Sequence, residues 1–346
     1  MMEMDYDKMV HGLVKVFTME EINHARKNGK LLNLDIEFTK DCNLRCIYCY
    51  ANGGEKQEHE LEKEKILDII DQAKNLGLKQ IIFTGGEPLI RKDFFEVAEY
   101  ARSLDVYVSV YTNGTLIDEE VAKKMFDLKI FPCVKLDSLV PEIQDELSER
   151  KGTFEMIMKG IKNLKKVGYE SFNINTVICN KNLDNLPGLW IWARKNSLKP
   201  NFLRLGPKGR ARDYKLAVGT LELKKLFEKL SEIDKTMFNL SWDPTTPFCG
   251  MGCNKLYVSC YLGSDGTIQP CTGVDVVAGN IKEERLETLL NSEVFSVARN
   301  IDKHIKGACK ECENLDKCYG CRGLAFYING DFTFEDPLCW NNPRAL

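Results

Sequence analysis

The sequence predicts an α/β fold in which a partial (β/α)6 TIM-like barrel is followed by a small cysteine-rich domain. Strand-like apolar runs alternate with amphipathic helical patterns from about residue 33 to 205, and this alternation stops after Arg212. Most of the cysteines lie beyond that point. Six βα units with short connections favour a parallel sheet, open or curled into part of a barrel. Ligands of such folds bind at the carboxyl ends of the strands.

The βα units are recognisable from their periodicity. The predicted strands are the apolar runs at 32–39, 80–84, 106–112, 131–137, 172–178 and 201–205. Between the first two, Ile66, Ile70 and Ala73 keep helical spacing, and Gly77 is a stop signal. Asp118 and Thr153 stand where the N-caps of two further helices are expected.

Four regions follow from this pattern: a lead-in at 1–32, the barrel at 33–212, a bridging helical region at 213–242 and a cysteine-rich domain at 243–346. The last region has many turn residues and little apolar periodicity apart from about 286–299. A compact segment of this kind needs metal clusters to stabilise it.

Composition excludes several classes of partner. The net charge is −3, which gives no reason to expect nucleic acid or an anionic membrane surface. The apolar runs are far shorter than the ~20 residues of a membrane span, and the N-terminus lacks the features of a signal peptide. We therefore expect a cytoplasmic protein. In that reducing compartment, 14 cysteines are better explained as metal ligands than as disulfides.

The first cysteine motif is Cys42-x3-Cys46-x2-Cys49, directly after the first predicted strand. In a βα fold this is the rim where active sites form. Three thiolates without an obvious fourth would leave one iron of a 4Fe–4S cluster without a protein ligand, free to bind substrate or cofactor. A zinc site completed by a distant residue is the alternative, although three cysteines with no nearby histidine are unusual for zinc.

These residues resemble the signature of the radical S-adenosylmethionine (SAM) superfamily, including the aromatic Tyr48 before the last cysteine. The partial (β/α)6 barrel of that family agrees with the six units counted above. The resemblance implies that Cys42, Cys46 and Cys49 ligate three irons. It also implies that the fourth iron takes the amino and carboxylate groups of SAM.

Further segments resemble the SAM site of the family. The run Thr84-Gly85-Gly86-Glu87-Pro88 resembles the segment that receives the SAM amino group. Arg150 resembles an arginine that pairs with the SAM carboxylate, and its alternative is a solvated residue at a helix end. Lys135 is a departure, since many relatives have a small hydroxyl residue there. The remaining expected cofactor contacts are Thr112, Asn113, Asp137, Asn175, Val177 and Leu203.

The C-terminal cysteines resemble the SPASM extension, which holds one or two auxiliary 4Fe–4S clusters. Taken alone, Cys309-x2-Cys312-x5-Cys318-x2-Cys321 could equally be a zinc ribbon, and two residues rather than the usual three separate its last pair. By the family's interleaved arrangement, the first auxiliary cluster would be held by Cys249, Cys253, Cys271 and Cys321. The second would be held by Cys309, Cys312, Cys318 and Cys339. Cys260 could replace Cys249.

Three cysteines then have no assigned role: Cys133, Cys179 and Cys260. Buried structural thiols are the default interpretation. The alternative is that one of them donates a hydrogen atom to a substrate radical, which would give epimerisation.

The chemistry implied by the resemblance begins with one-electron reduction by a donor such as flavodoxin or ferredoxin. SAM is then cleaved to a 5′-deoxyadenosyl radical, which abstracts a hydrogen atom from an unactivated C–H bond of a peptide or protein side chain. The auxiliary clusters take an electron, giving oxidation or cross-linking. Two alternatives are a dehydrogenase or epimerase of a small molecule such as an aminosugar, and a non-catalytic metal-binding or electron-carrier protein.

Two features bear on the substrate. About 32 residues precede the first strand, which we expect to be too few for the leader-peptide recognition domain of some relatives. Thr272 follows Cys271 where sulfatase-maturing relatives have a catalytic aspartate, and Asp275 is near but off position. Sulfatase maturation is therefore disfavoured.

Overall fold

The computed structural model of the chain describes residues 17–212, 214–244, 253–315 and 318–345. A nine-stranded sheet runs in the order β6-β5-β4-β3-β2-β1-β7-β8-β9. The strands are β1 (Asn33–Thr39), β2 (Gln80–Gly85), β3 (Tyr107–Thr112), β4 (Phe131–Lys135), β5 (Asn173–Ile178), β6 (Lys199–Arg204), β7 (Ser259–Leu262), β8 (Thr267–Gln269) and β9 (Gly279–Asn280).

Helices cover the outer face of this sheet and fill the C-terminal region. They are α1 (Met19–Lys27), α2 (Lys63–Asn75), α3 (Phe94–Ser103), α4 (Glu119–Asp127), α5 (Pro141–Ser148), α6 (Thr153–Lys166), α7 (Leu186–Lys195), α8 (Thr220–Phe238), α9 (Lys255–Val258), α10 (Leu286–Leu290), α11 (Glu293–Arg299), α12 (Ile301–His304) and α13 (Arg322–Asn329). Across the described ranges, no helix is long and apolar enough to cross a membrane.

The six predicted strands all form, and β1 to β6 pair in parallel with their neighbours in chain order. The α/β barrel prediction is therefore confirmed. Two strand ends differ from the prediction by two residues, since β4 ends at Lys135 and β6 begins at Lys199, and the other ends agree to within one residue. Pro200 has no N–H to donate to a neighbouring strand. It is accommodated within β6 because β6 is an edge strand, which pairs with another strand on one side only.

The sheet is buried on both faces, but the two faces differ in character. On β1, Leu34, Ile36 and Phe38 enter the main hydrophobic core between sheet and helices. The alternate residues Asn33 and Asp35 are equally buried but face inwards. A parallel sheet with both faces covered is normally apolar throughout. The inner face of this barrel is polar, as expected of a surface that receives a ligand rather than a packed core.

The C-terminal region is continuous with the barrel sheet. Strand β7 pairs in parallel with β1, and β8 and β9 follow by antiparallel pairing. Strands β7 and β8 form a hairpin before Cys271, with Gly266 at φ +95° in its turn. The pairing of β7 with β1 was not predicted, since β7 is only four residues long and lies more than 200 residues from β1 in the chain.

A buried carboxylate joins α7, α8 and the segment after α8. Asp234 is fully buried and accepts hydrogen bonds from Trp190 Nε1 at 2.8 Å, Trp242 Nε1 at 2.9 Å and the Arg194 guanidinium at 2.7 and 3.0 Å. Asp234→Ala would leave these buried donors without an acceptor, and we expect a loss of about 3 kcal/mol in unfolding free energy. Urea unfolding followed by tryptophan fluorescence measures it. Equal midpoints for this variant and the exposed-site control Asp184→Ala would contradict the expectation.

Candidate active site

The Cys42–Cys49 loop leaves β1 at the carboxyl end of the barrel and is fixed by backbone contacts. Cys42 N–H donates to the Gly54 carbonyl at 3.1 Å, and Gly54 N–H donates to the Lys40 carbonyl at 2.7 Å. From the loop after β6, Arg210 donates to the carbonyls of Cys46 and Gly53 at 2.9 and 3.0 Å. The loop therefore has a defined shape, held by the barrel on both sides.

The three thiols of this loop are partly buried and free. Burial raises the pKa of Cys42 to about 12 and that of Cys46 to about 11. Neighbouring negative charges, including the other thiolates, raise both pKa values further. These thiols would ionise only beside a strong positive charge such as bound iron. A set of three thiols suits an iron–sulfur cluster, although no three His, Cys, Asp or Glu side chains among the described residues converge as ligands of one metal ion.

The Gly85–Gly86 turn at the end of β2 packs directly on the cysteine loop. A Cβ on Gly86 would lie 2.0 Å from the Asp41 carbonyl oxygen, and one on Gly85, at φ +129°, would lie 2.3 Å from the Thr39 oxygen. Gly86 N–H donates to Thr39 at 2.7 Å, and Glu87 N–H donates to Asp41 at 2.8 Å. Both positions therefore require glycine for backbone-to-backbone packing.

Glu87 is fully buried behind this turn and connects it to the end of β3. Its carboxylate accepts hydrogen bonds from Asn113 N–H at 2.7 Å, Thr112 Oγ1 at 2.8 Å and Leu89 N–H at 3.2 Å. Burial raises the pKa of Glu87 to about 7, although the hydrogen bonds that its carboxylate accepts act to lower the pKa. The Asn113 side chain donates to Asn43 Oδ1 at 2.8 Å, so the same network reaches the cysteine loop.

Lys135 forms a compact group with Tyr48 and Asp137 at the end of β4. Its ammonium group lies 2.7 Å from Asp137 Oδ2, contacts the Tyr48 hydroxyl, and sits 3.8 Å from the Tyr48 ring centroid. Asp137 is fully buried and also accepts from the Tyr48 hydroxyl and from Val177 N–H at 2.9 Å. The pKa of Cys46 is raised mainly by burial, and the Lys135 charge opposes that rise. A positive charge therefore stands beside the cysteine loop.

Other expected cofactor residues lie around the same rim. Arg150 is exposed and donates to the Asn43 carbonyl at 3.1 Å, so in this structure it supports the cysteine loop. Val177 and Leu203 are register partners near the ends of β5 and β6. Pro88, which is buried, begins the short 3₁₀ turn that follows Glu87.

Asn175 is paired with a residue that sequence reasoning missed, Asn201 on β6. Asn201 Nδ2 donates to Asn175 Oδ1 at 2.8 Å, and both side chains are at most 5% exposed. Within the described part of the chain, Asn201 Oδ1 has no hydrogen-bond partner, and Asn175 Nδ2 has the weakly accepting Cys133 thiol as its neighbouring acceptor. The pair therefore presents one donor and one acceptor on the inner face. An alternation of polar residues along β5 and β6 was the available signal.

The C-terminal cysteines form two groups, and the thiol charges interact within each group. Cys253 and Cys271 interact with each other and with Cys321, and burial raises the pKa of both. Cys318 interacts instead with Cys309 and Cys339. Cys312 follows closely, its N–H donating to the Cys309 carbonyl at 3.4 Å. This grouping is the one that the resemblance implies. Cys249 lies outside the described residues.

The three unassigned thiols occupy different environments. Cys133 accepts a hydrogen bond from Asn173 Nδ2 at 3.7 Å on the polar inner face. Cys179 packs against Tyr48 and Leu205 beside the cysteine loop. Cys260, the proposed substitute for Cys249, lies on β7 within the main core, whereas Cys253 packs against a separate hydrophobic cluster. Of these three thiols, Cys133 is the one on the inner face of the barrel.

Comparison with known proteins identifies both parts of the chain. Residues 36–189 match the radical SAM superfamily model, and residues 253–313 match SPASM, an iron–sulfur cluster-binding domain. An AdoMet-dependent heme synthase from Methanosarcina barkeri is 29% identical over 336 residues, covering 89% of this chain and 95% of the relative. The mycofactocin maturase MftC of Mycolicibacterium smegmatis is 28% identical over 329 residues, covering 89% and 83%.

Solved structures agree in fold. Streptococcus suis SuiB bound to S-adenosylmethionine matches with a TM-score of 0.74 and 20% identity, over 93% of this chain and 80% of that one. The enzyme anSMEcpe with bound AdoMet matches with a TM-score of 0.67 and 21% identity, over 90% and 93%. The two family matches therefore show that the chain carries a radical SAM domain in its partial barrel and a SPASM domain after it, and these domains imply SAM and 4Fe–4S clusters as cofactors.

Proposed function

We propose that this radical SAM/SPASM enzyme abstracts a hydrogen atom from an unactivated C–H bond of a peptide or protein side chain. The observation that carries the proposal is the meeting of three elements at the mouth of the barrel: the three-thiol loop, the Gly85–Gly86 turn and the charged group around Lys135. When bound, the reduced cluster and SAM supply a 5′-deoxyadenosyl radical. The electron would come from a donor such as flavodoxin or ferredoxin.

The chain's own residues would hold and orient the cofactor. Cys42, Cys46 and Cys49 would ligate three irons, leaving the fourth for SAM. Glu87 would face the SAM amino group with a negative charge, and Lys135 would offer its ammonium group to the SAM carboxylate. Arg150 would act indirectly, by fixing the Asn43 carbonyl and thereby the loop.

The SPASM domain would bind two auxiliary clusters that accept the electron left on the substrate. Cys253, Cys271 and Cys321, with Cys249, would hold the first. Cys309, Cys312, Cys318 and Cys339 would hold the second. The interaction of charges within each described set supports this division. If all eight thiolates are used, neither cluster has an open iron for substrate, which leaves electron transfer as its role.

The inner face of the barrel supports an amide-bearing substrate. Among the residues that the structure describes, Asn201 leaves a carbonyl acceptor without a partner, and Asn175 leaves an N–H donor whose neighbouring acceptor is the Cys133 thiol, a weak acceptor. Buried polar groups of this kind are costly unless a ligand satisfies them. Exchanging the oxygen and nitrogen positions of both amides leaves the same combination of one donor and one acceptor. A peptide bond or a carboxamide offers the matching acceptor and donor, and the relative MftC is named as a maturase.

A small-molecule substrate is the second candidate, because the matching AdoMet-dependent heme synthase is aligned over nearly its whole length. A second relative, an Fe-coproporphyrin III synthase, is 32% identical over 185 residues, about half of each chain. Iron-coproporphyrin III, the product for which that relative is named, is the tetrapyrrole probe for this alternative.

The test measures release of 5′-deoxyadenosine by anaerobically reconstituted enzyme with SAM and dithionite. We expect about twelve irons per chain, and a release rate that rises when the true substrate is present. Peptides encoded by reading frames next to the gene and iron-coproporphyrin III are compared in parallel. Stimulation by iron-coproporphyrin III alone would overturn the peptide proposal. Zinc in place of iron would overturn the enzyme proposal altogether.

A further inference from the structure

Asp336 lies between the two groups of auxiliary cysteines and contacts both. Its carboxylate oxygen Oδ2 accepts a hydrogen bond from Cys321 N–H at 2.8 Å. Its own backbone N–H donates to Cys309 Sγ at 3.3 Å, and its carbonyl accepts from Cys339 N–H at 3.4 Å. Cys321 belongs to the proposed ligands of the first auxiliary cluster, and the other two cysteines belong to the second. A single residue thus connects both ligand sets.

Arg204, at the last position of β6, brings the barrel to the same point. Its guanidinium group lies 2.9 Å from Asp336 Oδ2 and 3.5 Å from Asp336 Oδ1, and it donates to the Leu338 carbonyl at 3.0 Å. The two side chains are only 4% and 2% exposed. Leu338 N–H completes the shell of Asp336 by donating to Oδ1 at 3.0 Å. The pair is therefore held in one geometry by contacts from both domains.

A buried charge in this position acts on both clusters. The reduction potential of an iron–sulfur cluster depends on nearby net charge and on hydrogen bonds to its sulfurs. Electrostatic interactions are strong at this degree of burial, because little water is present to screen them. A negative charge beside the ligands opposes the addition of an electron, and a positive charge favours it. Asp336 and Arg204 supply one of each next to both ligand sets, and Arg204 stands at the carboxyl end of β6.

We propose that the Asp336–Arg204 pair is a shared electrostatic junction that sets the potentials of both auxiliary clusters together. Both residues are positioning residues, since they act through the cluster ligands. The proposal rests on the ligand assignment made under the proposed function. Its distinctive consequence concerns the single variants: removing the negative charge alone and removing the positive charge alone shift the reduction potentials in opposite directions.

The test is a redox titration of the reconstituted holoenzyme, followed by electron paramagnetic resonance. In Asp336→Asn, which keeps the shape but loses the negative charge, we expect both auxiliary potentials to become more positive. In Arg204→Gln we expect both to become more negative. Arg204→Lys keeps the charge and breaks the paired geometry, so its potentials should stay near those of the unsubstituted enzyme. The SAM-responsive cluster, identified by its altered signal on addition of SAM, should shift less than either auxiliary cluster in every variant.

Three results would overturn the junction: shifts of the same sign in Asp336→Asn and Arg204→Gln, a shift confined to one auxiliary cluster, or an equal shift of the SAM-responsive cluster. A single variant leaves one buried charge without its partner, and this can prevent cluster assembly. In that case the uncharged double variant D336N/R204Q tests the proposal. It should bind both clusters at nearly unchanged potentials, and loss of either cluster there would contradict the proposal. Iron analysis of the unsubstituted enzyme separates the two ideas: fewer than about twelve irons contradicts the ligand assignment, whereas a full complement with unshifted potentials contradicts the junction alone.

Discussion

Replacement of Cys46 by alanine is expected to abolish release of 5′-deoxyadenosine and to remove about four irons per chain. Cys46 is the middle thiol of the loop, and Arg210 and Lys135 bring positive charge towards it. A cluster with two remaining thiolates in the loop would lose the geometry that presents one open iron. The measurements are iron content and chromatographic detection of 5′-deoxyadenosine after incubation with SAM and dithionite.

Cys260→Ala is the matched control for this experiment. Cys260 is also buried, at 1% exposure, but lies in the main core on β7, away from the cysteine loop. We expect this variant to keep the iron content and the release rate of the unsubstituted enzyme. Turnover by Cys46→Ala at an undiminished rate would mean that the loop is not the ligand set of the SAM-binding cluster. Loss of iron in Cys260→Ala would instead favour Cys260 as an auxiliary ligand.

Much of the barrel and its mouth was predictable because the relevant signals are local. Alternating strand and helix periodicities define six βα units without any knowledge of long-range contacts. The position of Cys42, Cys46 and Cys49 after β1 then places them at the carboxyl end of a parallel sheet. The Gly85–Gly86 turn belongs to the same category, since it directly follows β2. Each of these features is encoded within about ten consecutive residues.

The features that were missed depend on residues far apart in sequence. Strand β7 is four residues long and gains its identity from pairing with β1. Asn201 is polar within a strand and acquires meaning only beside Asn175. The sequence also did not indicate that Lys135 would contact Tyr48 and Asp137, although it marked Lys135 as unusual. Such contacts are fixed by tertiary packing, which local propensity does not report.

Glu87→Gln is expected to change how the stability of the cluster-free protein depends on pH. Burial raises the pKa of Glu87 from 4.5 to about 7, so the folded state binds this proton more tightly than the unfolded state. Between these two values, ionisation of Glu87 opposes folding, and the unfolding free energy falls as the pH rises. The fall amounts to about 3 kcal/mol over the whole window. Glutamine does not ionise, so the variant should lack this decline.

The comparison is made between pH 4.5 and 8 by urea unfolding, and the slope with pH is the quantity of interest. The absolute stability of Glu87→Gln also changes, because an amide nitrogen replaces an oxygen that accepts from Asn113 N–H or Thr112 Oγ1. The exposed-site variant Glu99→Gln should keep the profile of the unsubstituted protein. Parallel profiles for Glu87→Gln and the unsubstituted protein would contradict the raised pKa.

The same substitution tests the proposed contact with SAM. At pH 8 the Glu87 carboxylate is ionised in the folded protein, and an ionised acceptor strengthens a hydrogen bond to an ammonium group. Loss of that charge is expected to weaken SAM binding by about 10- to 100-fold, measured on the oxidised holoenzyme by calorimetry. The weakening should be largest above pH 7 and should shrink towards pH 6, where Glu87 of the unsubstituted enzyme is itself protonated and neutral, as glutamine is at every pH. A loss of affinity that does not depend on pH would mean that Glu87 supports Asn113 and the cysteine loop and does not recognise the SAM charge. The reason is that the hydrogen bonds to Glu87 from Asn113 and Thr112 do not require SAM.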